Sequence, residues 1–302
     1  LTFTAANWDT AQNVTVTGVD DDPIDGDQTS TLTISILDVV SDDDFDNVPD
    51  RTLSVTTTDD DVAGFTIAET EGSTGVDESG STDIFTVVLN AEPSSNVVLD
   101  ITSSDTGEAT VTSSLTFTAA NWDTAQTVTV TGVDDDLIDG TISSSITVAI
   151  NDGSSDDNFD AVADQTVSVT TTDDDVAGFT IAETNGSTGV TEAGSTDIFT
   201  VVLNAQPTTD VVLTISSGDT GEATVTSSLT FTAANWDTAQ NVTVTGADDD
   251  IVDGSVTSTI TVAINDGSSD DNFDAVADQT VSVTTTDDDV AGFTIAETEG
   301  ST

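Results

Sequence analysis

Runs of three consecutive aspartates are the residues of this sequence whose type and spacing best suit a chemical role. One set comprises residues 20–22, 134–136 and 248–250, and a second comprises residues 59–61, 173–175 and 287–289. Neighbouring carboxylates repel one another by roughly 1 kcal/mol per pair in water, and by more when they are partly buried. Calcium relieves such repulsion because it accepts about six to eight oxygen ligands in irregular geometry. The runs therefore predict calcium sites.

The charge balance of the chain is extreme. It has 58 acidic residues, a single basic residue (Arg51) and a formal net charge of −57, with no His, Cys, Met, Tyr or Lys. Zinc and copper are not expected as the metals because they favour His and Cys ligands. An acidic surface also keeps a protein soluble, so simple solvation is the second interpretation of the aspartate runs.

The same absences restrict the classes of function. Without His, Cys or Lys the sequence offers no ordinary general base at neutral pH, no thiol nucleophile and no Schiff-base amine. We therefore expect that the protein is not an enzyme. Nucleic acid is not expected as a partner because phosphate contacts need Lys and Arg. No apolar run approaches the ~20 residues that cross a bilayer, so direct membrane insertion is not expected either.

The sequence contains an internal repeat of domain size. The string LTFTAANWDTAQ begins at Leu1, Leu115 and Leu229, which gives a period of 114 residues. The two complete copies align without gaps and differ at 18 positions. We predict a truncated repeat over 1–61, complete repeats over 62–175 and 176–289, and the first strand of a further repeat over 290–302. We expect residues 1–61 to lack a complete core and the parent protein to continue in both directions.

Each repeat contains seven segments in which Thr or Ser alternates with apolar residues, which is the period of a β-strand. Seven short strands in one repeat, separated by Asp- and Gly-rich loops, predict an all-β, immunoglobulin-like Greek-key sandwich. We name the predicted strands A to G and expect the sandwiches to follow one another head to tail. In the first complete repeat they cover residues 64–69, 83–90, 96–103, 109–118, 127–132, 144–151 and 165–172.

Alternation of strand direction should gather acidic residues at one pole of each sandwich. If successive strands run in opposite directions, the A–B, C–D and E–F loops lie at the same end as the exit of strand G. Such a pole would carry ten carboxylates and no basic residue, which strengthens the prediction of calcium. In the first complete repeat they belong to Glu78, Asp105, Glu108, Asp134, Asp135, Asp136, Asp139, Asp173, Asp174 and Asp175.

Several strings of the sequence resemble Calx-β domains. They are TTTDDDVAGFTI at the boundary between repeats, VDESG at 76–80, SLTFT at 114–118 and TVTVTGVDDDLID at 127–139, in the order that this family shows. The resemblance covers both complete repeats and the C-terminal half of a repeat in residues 1–61. The LTFTAANWDTAQ form looks like repeats of very large bacterial surface proteins and adhesins. The resemblance implies a seven-stranded sandwich that binds calcium at one pole.

The resemblance also implies a set of calcium ligands. In the first complete repeat they are Glu78, Asp105, Asp134, Asp135, Asp139, Asp173, Asp174 and Asp175. In the second they are Glu192, Asp219, Asp248, Asp249, Asp253, Asp287, Asp288 and Asp289. We add Asp136 and Asp250 from the aspartate runs and, from the truncated repeat, Asp20, Asp21, Asp22, Asp25, Asp59, Asp60 and Asp61.

Two further features carry a structural and a functional interpretation each. Trp8, Trp122 and Trp236 recur in an Ala-Asn-Trp-Asp turn, where the ring either plugs the end of the sandwich or stacks on carbohydrate. Alternating threonines either reflect the preference of exposed strand positions for β-branched residues or form an ice-binding ladder.

At the joint between repeats, the 173–175 linker would lie near Asp266, Asp270 and Asp271, where an additional calcium ion would brace the two domains.

These features predict a mechanical role outside the cell. We expect a structural or extender repeat of a large extracellular, bacterial cell-surface or fibre-forming protein, stiffened by calcium at domain ends and joints. Its expected partners are the neighbouring repeats of the same chain and identical chains in a fibre or matrix, including a fibre in which a neighbouring chain completes the half-domain. The alternative is a calcium-dependent adhesion module that binds carbohydrate or protein.

Overall fold

A computed structural model describes residues 1–296 of the chain. Its regular structure is almost entirely β-strand, and the predicted all-β sandwich is confirmed. No helix among residues 1–296 has the length and apolar character that crossing a membrane requires. The described helical segments are short 3-10 turns, and they cover Asp38–Val40, Asp43–Phe45, Thr70–Gly72, Asp152–Ser154, Asp157–Phe159, Thr184–Gly186, Asp266–Ser268 and Asp271–Phe273.

The N-terminal part of the chain forms a single antiparallel hairpin, with strands β1 (Gln28–Ile34) and β2 (Arg51–Thr57). These strands correspond to the predicted strands F and G of the truncated repeat. None of residues 1–61 is buried. A two-stranded ribbon has no second layer to cover its apolar face, so this segment has no core of its own.

The first sandwich consists of two sheets. Its strands are β3 (Phe65–Glu69), β4 (Thr74–Asp77), β5 (Thr82–Leu89), β6 (Val97–Ser103), β7 (Ala109–Val111), β8 (Ser114–Phe117), β9 (Gln126–Gly132), β10 (Ile142–Ile150) and β11 (Gln165–Thr172). One sheet has the order β3-β5-β9-β7, and the other has the order β4-β11-β10-β6-β8. Alternate Val, Leu, Ile and Phe side chains point between the sheets, where Phe85, Phe117 and Phe159 are fully buried.

The second sandwich repeats this arrangement. Its strands are β12 (Phe179–Glu183), β13 (Thr188–Thr191), β14 (Thr196–Leu203), β15 (Val211–Ser217), β16 (Ala223–Val225), β17 (Ser228–Phe231), β18 (Gln240–Gly246), β19 (Val256–Ile264) and β20 (Gln279–Thr286). The sheets have the orders β12-β14-β18-β16 and β13-β20-β19-β15-β17. Phe199, Phe231 and Phe273 occupy the centre of its core.

Each sandwich contains nine strands, so the predicted number of seven is not confirmed. The seven predicted segments all form strands, but predicted strand D divides into β7, which pairs with β9, and β8, which pairs with β6. A further strand, β4, follows predicted strand A. Between β3 and β4 the backbone turns at Glu71 and Gly72, which have φ angles of 56° and 82°. This turn takes the chain from one sheet to the other.

Backbone contacts divide the chain into two compact units. The first contains residues 1–76, 80–132 and 143–170, which hold the core of the first sandwich. The second contains residues 77–79, 133–142 and the chain from Thr171 onward, which hold the core of the second sandwich. Residues 290–296 contain no strand, and the rest of the strand predicted there lies outside the described residues. The domain boundaries at 61/62, 175/176 and 289/290 stay predictions.

Candidate metal centre

In each repeat, an aspartate that follows the last strand accepts hydrogen bonds from backbone N–H groups at the acidic pole. In the second sandwich, Oδ2 of Asp287 accepts a hydrogen bond from the Gly254 N–H at 2.7 Å, and Oδ1 accepts one from the Asp289 N–H at 2.7 Å. These bonds hold the pKa of Asp287 below its ordinary value. The loop after β18 is thereby fastened to the end of β20. Asp173 and Asp59 accept the equivalent bonds one and two periods earlier.

A buried glutamate faces this aspartate. Glu192 follows β13, and its N–H donates to the Thr286 carbonyl at 3.1 Å, which fixes it beside the end of β20. Its side chain is only 1% exposed, and neither carboxylate oxygen accepts a hydrogen bond of normal geometry. One oxygen each from Glu192, Asp287 and Asp289 lie within 4.8 Å of one another. Oxygen atoms brought this close suit a hard cation.

Burial and neighbouring carboxylates both disfavour the charged form of Glu192. Burial raises its pKa most, the Asp288 N–H partly offsets that effect, and the charges of Asp287, Asp249 and Asp253 raise the pKa further. The acids of the β18–β19 loop therefore lie within electrostatic reach of the buried glutamate. Sequence spacing had placed the same acids at one pole of the sandwich.

A second buried glutamate, Glu222, belongs to the same pole but was absent from the predicted ligands. It is 6% exposed, and its Oε2 accepts no hydrogen bond. Burial raises its pKa, and the charges of Asp253, Asp219 and Asp249 raise it further. Glu108, one period earlier, is also buried. The signal that could have identified Glu222 is its alignment with Glu108, which strand parity already placed at the pole, because each follows an aspartate by three residues.

Asp289 lies within electrostatic reach of Asp248 and Asp250 in the β18–β19 loop. Burial raises the pKa of Asp289, followed by the charges of Asp250, Asp287, Asp288 and Asp248. Its Oδ2 is buried without a hydrogen-bond partner. The pole of the second sandwich thus has a buried part around the two glutamates and a more open part around Asp289.

The pole of the first sandwich has the same construction. One oxygen each from Glu78, Asp173 and Asp175 lie within 4.8 Å of one another, and Glu78 is 1% exposed. Burial and then the charges of Asp173, Asp136, Asp174 and Asp135 raise the pKa of Asp175 to about 6. The Asp139 N–H donates to Oδ2 of Asp173 at 3.0 Å and thereby fastens the β9–β10 loop.

Residues 1–61 carry a less complete version of this arrangement. Burial raises the pKa of Asp61, followed by the charges of Asp59, Asp60, Asp22 and Asp20. The segment contains no glutamate of its own to match Glu78 or Glu192.

The predicted ligands fall into three classes of exposure. Glu78 and Glu192 are buried. The half-buried residues are Asp59, Asp61, Asp139, Asp173, Asp175, Asp249, Asp287 and Asp289. The exposed residues are Asp20, Asp21, Asp22, Asp25, Asp60, Asp105, Asp134, Asp135, Asp136, Asp174, Asp219, Asp248, Asp250, Asp253 and Asp288.

The hydrogen bonds of Asp270 do not favour the expected calcium ion at the joint, because its carboxylate binds groups of the second sandwich. Its Oδ2 accepts hydrogen bonds from the Thr208 hydroxyl at 2.6 Å and the Thr209 N–H at 2.8 Å, and its Oδ1 accepts one from the Asn272 N–H at 3.0 Å. Burial raises its pKa, but these bonds outweigh burial and hold the pKa below its ordinary value. Both oxygens are therefore engaged in closing two loops.

Replacing Asp270 with Ala is expected to destabilise the second sandwich by about 3 kcal/mol at pH 7, because it leaves three donors without their acceptor. Since the pKa is lowered in the folded state, the contribution of the charge is complete above the unfolded pKa of about 3.9 and is lost as the pH falls through the folded pKa. Urea unfolding at pH 7 and pH 3 measures both effects. The control is Asp271→Ala, at an exposed neighbour, and an equal loss of stability there would contradict the assignment.

The tryptophans of the complete repeats pack inward. Trp122 and Trp236 are partly buried against the cores of their sandwiches, and their carbonyls accept hydrogen bonds from Leu89 and Leu203 at 3.1 Å. This geometry favours the plug over a carbohydrate platform.

Comparisons with known proteins reveal distant similarity in structure only. No protein-family model and no curated protein matches the sequence. Among solved structures, the chain is similar to CBD12 from CALX1.2 (14% identity, 72% of this chain and 99% of that chain, TM-score 0.29). It is also similar to domains 4–9 of the surface layer protein SbsC (21% identity, 80% and 34%, TM-score 0.28). The apo-form Calx CBD1 domain is another such structure (17% identity, 37% and 98%, TM-score 0.28). Similarities this distant assign neither a family nor a function.

Proposed function

We propose that each complete repeat binds calcium at its acidic pole and acts as a stiff spacer in an extracellular surface or fibre-forming protein. The observation that carries this proposal is the buried carboxylate Glu192, whose oxygen lies within 4.8 Å of oxygens of Asp287 and Asp289. Burying a charge without a partner is costly. The sequence has a single basic residue, Arg51, so a bound cation is the partner that this chemistry favours.

Calcium suits the donor set better than other cations. All of the candidate donors are carboxylate oxygens, and they come from three loops and a strand exit, which favours an irregular arrangement of ligands. Calcium accepts about six to eight oxygens in such arrangements, whereas magnesium requires a nearly ideal octahedron and retains water. Sites of this kind in extracellular modules have dissociation constants of about 0.1–1 mM.

The spacer role is supported by how the charge is distributed. The outward side chains of β5 and β9 in the first sandwich are Thr, Ile and Val. Most of the acids lie in loops, and Asp83 and Asp100 are exceptions within β5 and β6. Calcium at the poles would stiffen the ends of each sandwich, where the acidic loops are concentrated. We propose in addition that the chain has no catalytic activity, and that neighbouring repeats and identical chains are its partners.

Titration calorimetry on the full chain tests the proposal. After removal of EDTA, we expect calcium to bind at both complete repeats, and magnesium at equal concentration to produce a much smaller signal. Heat no greater than that of matched NaCl would contradict calcium binding and favour simple solvation. A glycan array with clear hits would instead support the adhesion module.

A further inference from the structure

The loop that follows β9 is held by residues of the second sandwich. Leu137 forms an isolated parallel bridge with Gln206. The Gln206 N–H donates to the Asp136 carbonyl at 2.6 Å, and the Ile138 N–H donates to the Gln206 carbonyl at 3.4 Å. We call residues 136–138 the docking segment. All of these residues lie in one compact unit with the core of the second sandwich.

The side chain of Ile138 completes the attachment. It is partly buried against the second core, together with Ala177 and Val276. The Asn272 side-chain amide donates to the Ile138 carbonyl at 3.0 Å. We call Ala177, Gln206, Asn272 and Val276 the socket. The socket therefore binds the docking segment through apolar burial and through its backbone.

The same attachment occurs one period earlier in the chain. Pro23 bridges Glu92, whose N–H donates to the Asp22 carbonyl at 3.0 Å. The Asn158 amide donates to the Ile24 carbonyl at 3.3 Å, and Ile24 packs against the first core. Proline is tolerated at the bridge because these bonds do not use the N–H of that residue.

The third copy of the docking segment, residues 250–252, is exposed rather than attached to a sandwich. Ile251 and Val252 occupy the positions of Leu137 and Ile138, and they are 60% and 56% exposed. Among the described residues, no bridge or core contact involves them. The Asp253 N–H donates to the Ile251 carbonyl at 3.0 Å within the same loop. The Ile251–Val252 pair therefore lacks the contacts that bury Ile138.

We propose that the docking segment and the socket form a joint through which each repeat captures the next copy of the same repeat without a metal ion. Within the docking segment, the Leu137 N–H donates to Oδ1 of Asp135 at 2.7 Å, which is a bond inside the loop itself. The contacts that reach the socket, those of Ile138 and the backbone bonds of Gln206, use no carboxylate oxygen. The partner that fits the exposed Ile251–Val252 pair is therefore the socket of a further identical repeat. The inference does not depend on the proposed calcium binding.

Amide hydrogen exchange of the full chain in EDTA tests the joint. We expect the Gln206 amide of the wild type to be protected, because it donates to Asp136. Ile138→Ser removes the apolar contact and is expected to raise the exchange rate of Gln206 by about tenfold or more, through local opening. Amides of the core strand β14, such as that of Leu203, report whether the sandwich stays folded and should keep their protection.

Val252→Ser is the matched control, because it makes the equivalent polar change at a position without a socket. It should leave the exchange of Gln206 unchanged. Two results would overturn the proposal: rapid exchange of Gln206 in the wild type until calcium is added, or equal acceleration by both substitutions. Failure of the calcium proposal would not affect this outcome, since the decisive measurements are made in chelator.

Discussion

Chelation of divalent cations is expected to lower the thermal unfolding midpoint of the chain by roughly 10 °C. A ligand that binds only the folded state at 100 times its dissociation constant stabilises that state by about 2.7 kcal/mol, and domains of this size shift by a few degrees per kcal/mol. Each complete sandwich has its own pole, so each should be affected. Differential scanning calorimetry in excess EDTA, against a sample with calcium at about 100 times its dissociation constant, measures the shift.

The control for this experiment is ionic strength. The chain carries a net charge of −57, so any salt reduces self-repulsion to some extent. NaCl at matched ionic strength should restore only a small part of the lost stability, because exposed charges are the ones that it screens. If NaCl restores the midpoint as fully as calcium does, the acidic poles are merely solvated surfaces.

Glu192→Gln is expected to have opposite effects with and without calcium. In EDTA the substitution removes a buried negative charge that is repelled by three acidic neighbours. The unfolding midpoint of the variant should therefore lie several degrees above that of the wild type. In calcium the loss of a charged ligand should weaken binding at one of the two poles by about tenfold or more. Thermal unfolding in each condition, combined with calorimetric titration, measures both signs.

Asp278→Asn is the matched control, since it makes the same change of charge at an exposed position just before β20 that is not a predicted ligand. We expect it to change the midpoint and the affinity only slightly. A stabilising effect of Glu192→Gln in both conditions would mean that Glu192 is a buried charge without a cation. A destabilising effect in both would mean that its carboxylate has a structural partner within the protein.

Much of the fold could be predicted from the sequence because it depends on local patterns. The alternation of Thr with Val, Ile or Leu identified all seven predicted strands of each repeat, since a strand directs successive side chains to opposite faces. The additional strand β4 and the division of predicted strand D could not be predicted. They depend on where the chain crosses between sheets, and at Glu71 a left-handed φ angle has no clear signal in a glutamate.

The candidate site was predicted in part. Strand parity placed Glu78 and the 173–175 run at one pole, and the structure brings Glu78, Asp173 and Asp175 together. It did not predict that Glu222 is buried, because burial depends on what covers a side chain after the sheets have packed. Nor did it predict that Asp270 is engaged in hydrogen bonds with Thr208, Thr209 and Asn272, which belong to separate loops.

The 114-residue period, the strand segments and the placement of most acids in loops can be read from the sequence, since they follow from residue type and spacing. Which carboxylates are buried, and which backbone groups hold the acidic loops, depends on tertiary packing. Glu192 and Asp287 are far apart in the chain, and Ile138 and Gln206 belong to different repeats. Contacts between such distant segments form only when the sheets pack, and hence no local pattern encodes them.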